Sequence, residues 1–225
     1  SSCLWWCGIS LVVVRVSEWN IMGDDLPLDD DARIKLSIGS REQGDDDGLI
    51  WCPYGLAFDI HRGLLLVVDS NNHQVQVFSC DDGSFVSKFG KRGDQPGQFA
   101  NPDGIAIDHD HDRILVADSG NDRVQSWSLS EYNFLSCVGK RGSGDLEFYY
   151  PQGIAIDKHH HRIIITDTDN NRLVFLSSID LSFLFSVGGI KGNQPGEFCF
   201  PSGIAIDHDR HRIIVTDTLN DRVQV

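Results

Sequence analysis

Histidine and carboxylate side chains crowd four short windows of this 225-residue chain. The windows hold His61; His109 and His111; His159, His160 and His161; and His208 and His211, with Asp110, Asp112 and Asp209 among them. Imidazole and carboxylate both ligate divalent metals, so Zn²⁺ or Ni²⁺ binding is the chemistry on offer, with His109, His111, His159, His161, His208 and His211 as the candidate ligands. The number and identity of the donors change from window to window, whereas a metal site needs a fixed donor set. Solvated turns account for them better, and the expected cofactor complement is none. The run Asp108-His-Asp-His-Asp112 alternates acids like a calcium loop but lacks the glycine and distal Glu that such a loop requires. No nucleophile elbow, H-E-x-x-H or unrepeated pair of carboxylates occurs, so the reading leans away from an enzyme.

A second set of side chains is cationic. Lys91 and Arg92, Lys140 and Arg141, and Lys191 lie in the glycine-rich stretches Gly90-Lys-Arg-Gly93, Gly139-Lys-Arg-Gly142 and Gly188-Gly-Ile-Lys-Gly192, none of which has the ordered pattern of a nucleotide cradle. Arg123, Arg172 and Arg222 each follow an Asp by five residues, as in Asp118-Ser-Gly-Asn121-Asp-Arg123. An Asp that accepts turn amides and an Asn that tolerates left-handed backbone are turn chemistry and need no ligand. The Arg is expected to pair with the Asp or to bridge to a neighbouring unit. Together the eight cations are expected to form a partly basic face for a protein partner, diluted by Asp94, Asp122, Asp145 and Asp221.

What positions these groups is a repeat. The phrase Pro53-Tyr-Gly-Leu-Ala-Phe-Asp59 returns as Pro102-Asp-Gly-Ile-Ala-Ile-Asp108, Pro151-Gln-Gly-Ile-Ala-Ile-Asp157 and Pro201-Ser-Gly-Ile-Ala-Ile-Asp207, with prolines 49, 49 and 50 residues apart. Ten residues after each final Asp stands another, at Asp69, Asp118, Asp167 and Asp217, preceded by an apolar run. Each unit divides into short runs rich in β-branched residues, separated by Gly, Asn, Asp and His, which is the signature of repeated antiparallel sheets. In the second unit the strands are Gly104 to Asp108, Arg113 to Asp118, Arg123 to Trp127 and Phe134 to Gly139. Its second strand is apolar on both faces, Ile114 and Val116 against Leu115 and Ala117, and must be covered twice. The third alternates, as in Gln74-Val75-Gln76-Val77, which predicts that burial declines toward an outer edge. That gradient suits a propeller blade.

Phe89-Gly90, Gly93, Gly97-Gln98-Phe99, Pro102, Gly104-Ile-Ala-Ile-Asp108, Asp118-Ser119, Asn121 and Arg123-Val124-Gln125 resemble the NHL repeat, and the resemblance runs from about residue 38 to 225. It implies an all-β, NHL-type propeller of four antiparallel blades, with units near 50–98, 99–147, 148–197 and 198–225, the last incomplete. NHL propellers usually carry six blades, so a fragment of a six-bladed ring is expected. Arg33 to Ile38 takes the place of an outermost strand, either the remnant of an upstream blade or a strand that closes the ring on the last one. Residues 33–225 form the propeller region, and residues 1–32 carry no repeat and are expected to be poorly ordered.

The net charge of −14 repels phosphate backbones at long range, so nucleic acid is a disfavoured partner. Leu4 to Val14 is too short for a membrane span, which takes about 20 apolar residues, and it has neither a basic flank nor a small-residue cleavage site. The six cysteines show no C-x-x-C pair and no shared repeat position, which favours buried free thiols and leans toward an intracellular setting, the compartment itself staying open. The resemblance implies a noncatalytic protein-binding scaffold, as in the substrate-recognition part of RING and tripartite-motif ubiquitin ligases. Cys3 and Cys7 make no RING, so ligase activity would need one outside these residues. The alternatives are a metal-dependent propeller enzyme of the amidating-lyase or lactonase type and a single-stranded RNA binder.

Overall fold

The computed structural model describes Leu11–Val13, Leu36–Gly39, Gly44 and residues 46–225. Most of the segment 1–32 therefore lies outside the described residues. Strands β1 (Leu11–Val13) and β2 (Leu36–Ile38) pair antiparallel. Four sheets follow, each running in chain order: β3 to β6 (Pro53–Asp59, Leu64–Asp69, Gln74–Ser79, Phe85–Phe89), β7 to β10 (Ile105–Asp108, Arg113–Asp118, Arg123–Ser128, Phe134–Val138), β11 to β14 (Pro151–Asp157, Arg162–Asp167, Arg172–Ser177, Phe183–Gly188) and β15 to β17 (Pro201–Asp207, Arg212–Asp217, Arg222–Gln224). They are the blades of a propeller.

In the second and third blades the second strand is sandwiched between neighbouring blades. Ile114 and Val116 join Leu66, Val68, Val75 and Phe89 of the first blade in one core, while Leu115 turns to the third blade and packs with Ile163 and Ile165. Ile164 faces the other way, toward Val215 of the fourth blade. A phenylalanine plugs three of the seams, at Phe99, Phe148 and Phe198. Each of these holds its loop by a parallel bridge to Arg92, Arg141 or Lys191.

Near the axis the inner strands approach too closely for side chains. A Cβ on Gly55 would lie 2.3 Å from the Asp103 carbonyl oxygen, and one on Gly104 would lie 2.1 Å from that of Gln152. The glycine of the repeated phrase is therefore required by backbone contact between blades.

Each blade is tied to the preceding loop by a buried carboxylate. Asp118 accepts the Ala100 amide on Oδ1 at 2.7 Å and, on Oδ2, the side chains of Asn121 at 2.9 Å, Arg123 at 2.7 Å and Gln125 at 2.8 Å. Asn121 donates in turn to the Gly93 carbonyl, and the Arg123 guanidinium to those of Asp94, Gln95 and Gln98. The arrangement repeats at Asp69, Asp167 and Asp217. In the first blade Gln74 replaces the Arg and reaches Asp69 at 2.9 Å.

This network corrects the expectation of an exposed face on the third strand. Gln76 and Gln125 are fully buried, because their amides donate to the same carboxylates and to loop carbonyls. In the first three blades the outward decline in burial comes at the fourth strand, as in Phe134–Val138. The thiols also depart from expectation, since Cys199 is buried while Cys137 is exposed and unbridged.

The arc is open. The inner strand of each blade packs on the next, β3 on β7, β7 on β11 and β11 on β15. The outer faces of the first and fourth blades leave Leu56, Phe58 and Val223 about half exposed. Ile38 of β2 packs on the first blade with Ile50, Leu65, Val67 and Phe78, and the fourth sheet contains β15 to β17 without it, so β2 does not close the ring.

Replacing Asp118 with alanine strands a guanidinium that is only 10 % exposed. The expected cost is about 3–5 kcal/mol, whereas Asp145→Ala, at an exposed loop position, should stay within about 0.5 kcal/mol. Urea denaturation followed by tryptophan fluorescence distinguishes the two.

Candidate functional site

Two unlike faces follow from the strand order. The hairpins between first and second strands, with their histidines, emerge on one face; the Asp-to-Arg turns and the interblade loops emerge on the other.

On the histidine face, the rings are engaged with each other and with their own turns. His111 Nδ1 lies 2.9 Å from Asp108, which also holds Arg113, and His160 Nδ1 lies 2.8 Å from Asp157, which also holds Arg162. The His159 and His211 ring centroids stand 4.6 Å apart across the third seam, and those of His61 and His109 stand 4.5 Å apart across the first. His161 and His211 occupy the left-handed position that ends their turns, and His208 is exposed. Burial, then its neighbouring cations and His61, hold the His109 pKa below the ordinary histidine value despite Asp59. Among the described residues no group of three or more His, Cys, Asp or Glu side chains is placed to hold a metal.

The loop face divides the eight expected cations in two. Lys91, Arg92, Lys140, Arg141 and Lys191 are exposed. Arg123 and Arg172 are buried, and Arg222 is partly so, each clamped to its Asp at 2.7 Å. These three are therefore seam clamps rather than a partner surface, because the carboxylate and loop carbonyls use up their donors. Arg141 instead stacks over the Tyr149 ring at 4.4 Å, and Lys191 over Phe200 at 5.6 Å.

The residue before each phrase proline, Cys52, Asn101, Tyr150 or Phe200, has positive φ between 46° and 59°. Bulky side chains rarely adopt that region. The kink is held from the previous blade: the Asn101 amide donates to His73 Nδ1 at 2.9 Å, Tyr150 to Asp122 at 2.8 Å and Phe200 to Asn171 at 3.1 Å. This gives the ninth histidine its role.

Just inside this rim lies a cavity of about 400 Å³ on the axis, walled by the second to fourth residues of the repeated phrase and by Thr216. Glycine supplies its backbone walls, and Tyr54, Asp103, Gln152 and Ser202 supply its chemistry. Irregularities in the pairing at Pro53/Leu56, Pro151/Ile154 and Pro201/Ile204 fall on these residues, a distortion that re-aims side chains. Asp103 is 3 % exposed. Burial pushes its pKa up to about 7, against the pull of Ser119, Gln152 and Ser70, and its Oδ2 has no hydrogen-bond partner. Tyr150 is pushed up to about 12 by burial and by Asp103, Tyr54 and Asp169, and Asp169 is itself raised by burial and Asp122. The sequence reading passed over Asp103, although its position is the one that changes in every copy of the phrase: Tyr, Asp, Gln, Ser.

Family models agree with this architecture. The NHL repeat matches residues 148–174 and 198–225, and a family described as a 6-bladed β-propeller matches residues 57–139. The chain is an NHL-repeat β-propeller. Among solved structures, this NHL propeller is similar to hydrazine synthase of Kuenenia stuttgartiensis (14 % identity, TM-score 0.57, covering 79 % of this chain and 44 % of that one). It is also similar to a chain of the nidogen/laminin complex (20 %, 0.58, 74 % and 57 %) and to virginiamycin B lyase from Staphylococcus aureus (14 %, 0.57, 80 % and 52 %). It spans about half the length of these chains, and at such identities the likeness is one of fold. No curated protein matches it.

Between pH 4 and 7 the folded chain keeps a proton on Asp103 that an unfolded chain, at the ordinary value of 3.8, has released. The associated stability is full below about pH 4 and is lost as pH rises through 7. Asp103→Asn should therefore gain on the wild type, by on the order of 4 kcal/mol, between pH 4 and 8. Urea titrations of both proteins across that range measure the difference.

Proposed function

We propose that this NHL propeller is a noncatalytic scaffold that binds a protein partner across its loop face, in the manner of the substrate-recognition part of a ubiquitin ligase. The observation that supports it most is the set of aromatic and cationic side chains displayed there on a clamped frame. Trp51 and Tyr149 are 39 % and 37 % exposed, Arg141 lies over Tyr149 and Lys191 over Phe200. Trp, Tyr and Arg dominate the energetics of protein interfaces. The kinked backbone beneath them is fixed by the hydrogen bonds to Asp122 and Asn171, so little ordering cost remains for binding. No helix among the described residues is long and apolar enough to cross a membrane.

The same ring and cation pairs support a second reading, single-stranded RNA, since bases stack on such platforms. The net charge of −14 opposes it.

A photo-crosslinker placed at Lys140, compared with one at His208, tests the face. Adducts with a protein are expected from Lys140 and not from His208. For that partner, Tyr149→Ala and Arg141→Ala should each weaken affinity by about thirtyfold, the scale of an interface hot spot, with the urea midpoint unchanged. Adducts confined to His208 would overturn the assignment, and salt-sensitive binding of oligouridine with no protein adduct would favour RNA.

A further inference from the structure

The axial cavity contains a feature that the scaffold fold does not explain. Its wall is made of glycine backbone, aliphatic side chains and the neutral polar groups of Tyr54, Gln152, Ser202 and Thr216. Among the described residues that line it, Asp103 bears the single carboxyl group. In the other blades this position holds Tyr54, Gln152 and Ser202, so the carboxyl group is no requirement of the repeat. The Asp103 backbone serves the fold on its own account, its amide donating to the Ala117 carbonyl at 3.0 Å. The side chain, almost wholly buried, leaves Oδ2 without a partner. A buried, unsatisfied carboxyl oxygen costs free energy unless something else satisfies it.

We infer that the axial cavity is a subsite for an alkylammonium group, of the kind a lysine side chain presents, with Asp103 as its counter-ion. The sign of the charge follows from the wall: among the described residues no Lys or Arg lines the cavity to receive an anion. A divalent cation is poorly served, because one carboxylate stands alone among neutral groups and no cluster of three ligating side chains is present among the described residues. An ammonium needs one counter-charge and neutral acceptors, and it gains from aromatic rings. Tyr54 lines the cavity beside Asp103 and supplies that ring. The volume of about 400 Å³ accommodates such a chain within the range of small-ligand sites, about 300–1,000 Å³. The inference deepens the scaffold reading by naming what a partner inserts along the axis. Its chemistry is tested without that partner.

The probe is n-butylammonium, with uncharged N-butylacetamide as the control, titrated into the full chain at pH 7. The Asp103 carboxyl carbon is followed by NMR. Butylammonium is expected to bind saturably, to lower the Asp103 pKa by at least one unit and to release protons as it does so. N-Butylacetamide should do none of these, and Asp103→Asn should weaken butylammonium at least tenfold. Tyr54→Phe, which keeps the ring, should retain binding, while Tyr54→Ala weakens it. Equal responses to the two probes, or undiminished binding by Asp103→Asn, would overturn the subsite. Failure of Tyr149→Ala and Arg141→Ala to affect a protein partner, with butylammonium binding intact, would count against the scaffold reading alone.

Discussion

A carboxylate fully removed from water and surrounded by donors is the interaction on which the rest of this molecule depends. Asp118 is the clearest case, joining the turn of its own blade, the third strand and the loop arriving from the blade before. Burying such a charge is unfavourable unless every lone pair is used, and here amide, carboxamide and guanidinium donors meet that condition together. One residue type thus sets the turn, buries the glutamines and anchors the loop. The apolar seams of Phe99, Phe148 and Phe198 then close over a connection whose geometry is already determined.

The fold was legible because it is periodic. The doubly apolar strand at Ile114 to Ala117 announced neighbours on both sides, and the recurring Asp, Asn and Arg announced a turn. Gln76 departs from its pattern because alternation signals exposure only when the polar group has nothing to do inside, and here the buried carboxylate at the end of the preceding strand, Asp69, receives it. Arg123 and Arg172 pair with their Asp as the spacing predicts, and that pairing buries them instead of leaving them on a basic face. The histidines fall in turns as their spacing predicts, yet nothing in that spacing signals that His159 and His211 meet across a seam.

Asp103 was illegible for a different reason. Its neighbours in space are Ser70, Ser119 and Gln152, drawn from three blades, and only the curvature of the arc brings them together. Within the phrase it looks like any variable position. The glycine beside it shows why variation is concentrated there: backbone contact between inner strands forbids a side chain at one residue, so the adjacent residue is the first free to differ. Repetition builds the channel, and departure from repetition gives it chemistry.

The acceptors that hold the kinks are unlike one another: an imidazole at His73, a carboxylate at Asp122 and a carboxamide at Asn171. Only the neutral imidazole can receive the Asn101 amide on Nδ1, and burial together with Arg92 keeps His73 in that form by lowering its pKa, against Asp118 and Asp69. Asn171 does not titrate at all. Acidification thus removes one hydrogen bond from the joint between the first blade and the second, and leaves the bond to Asn171 in place.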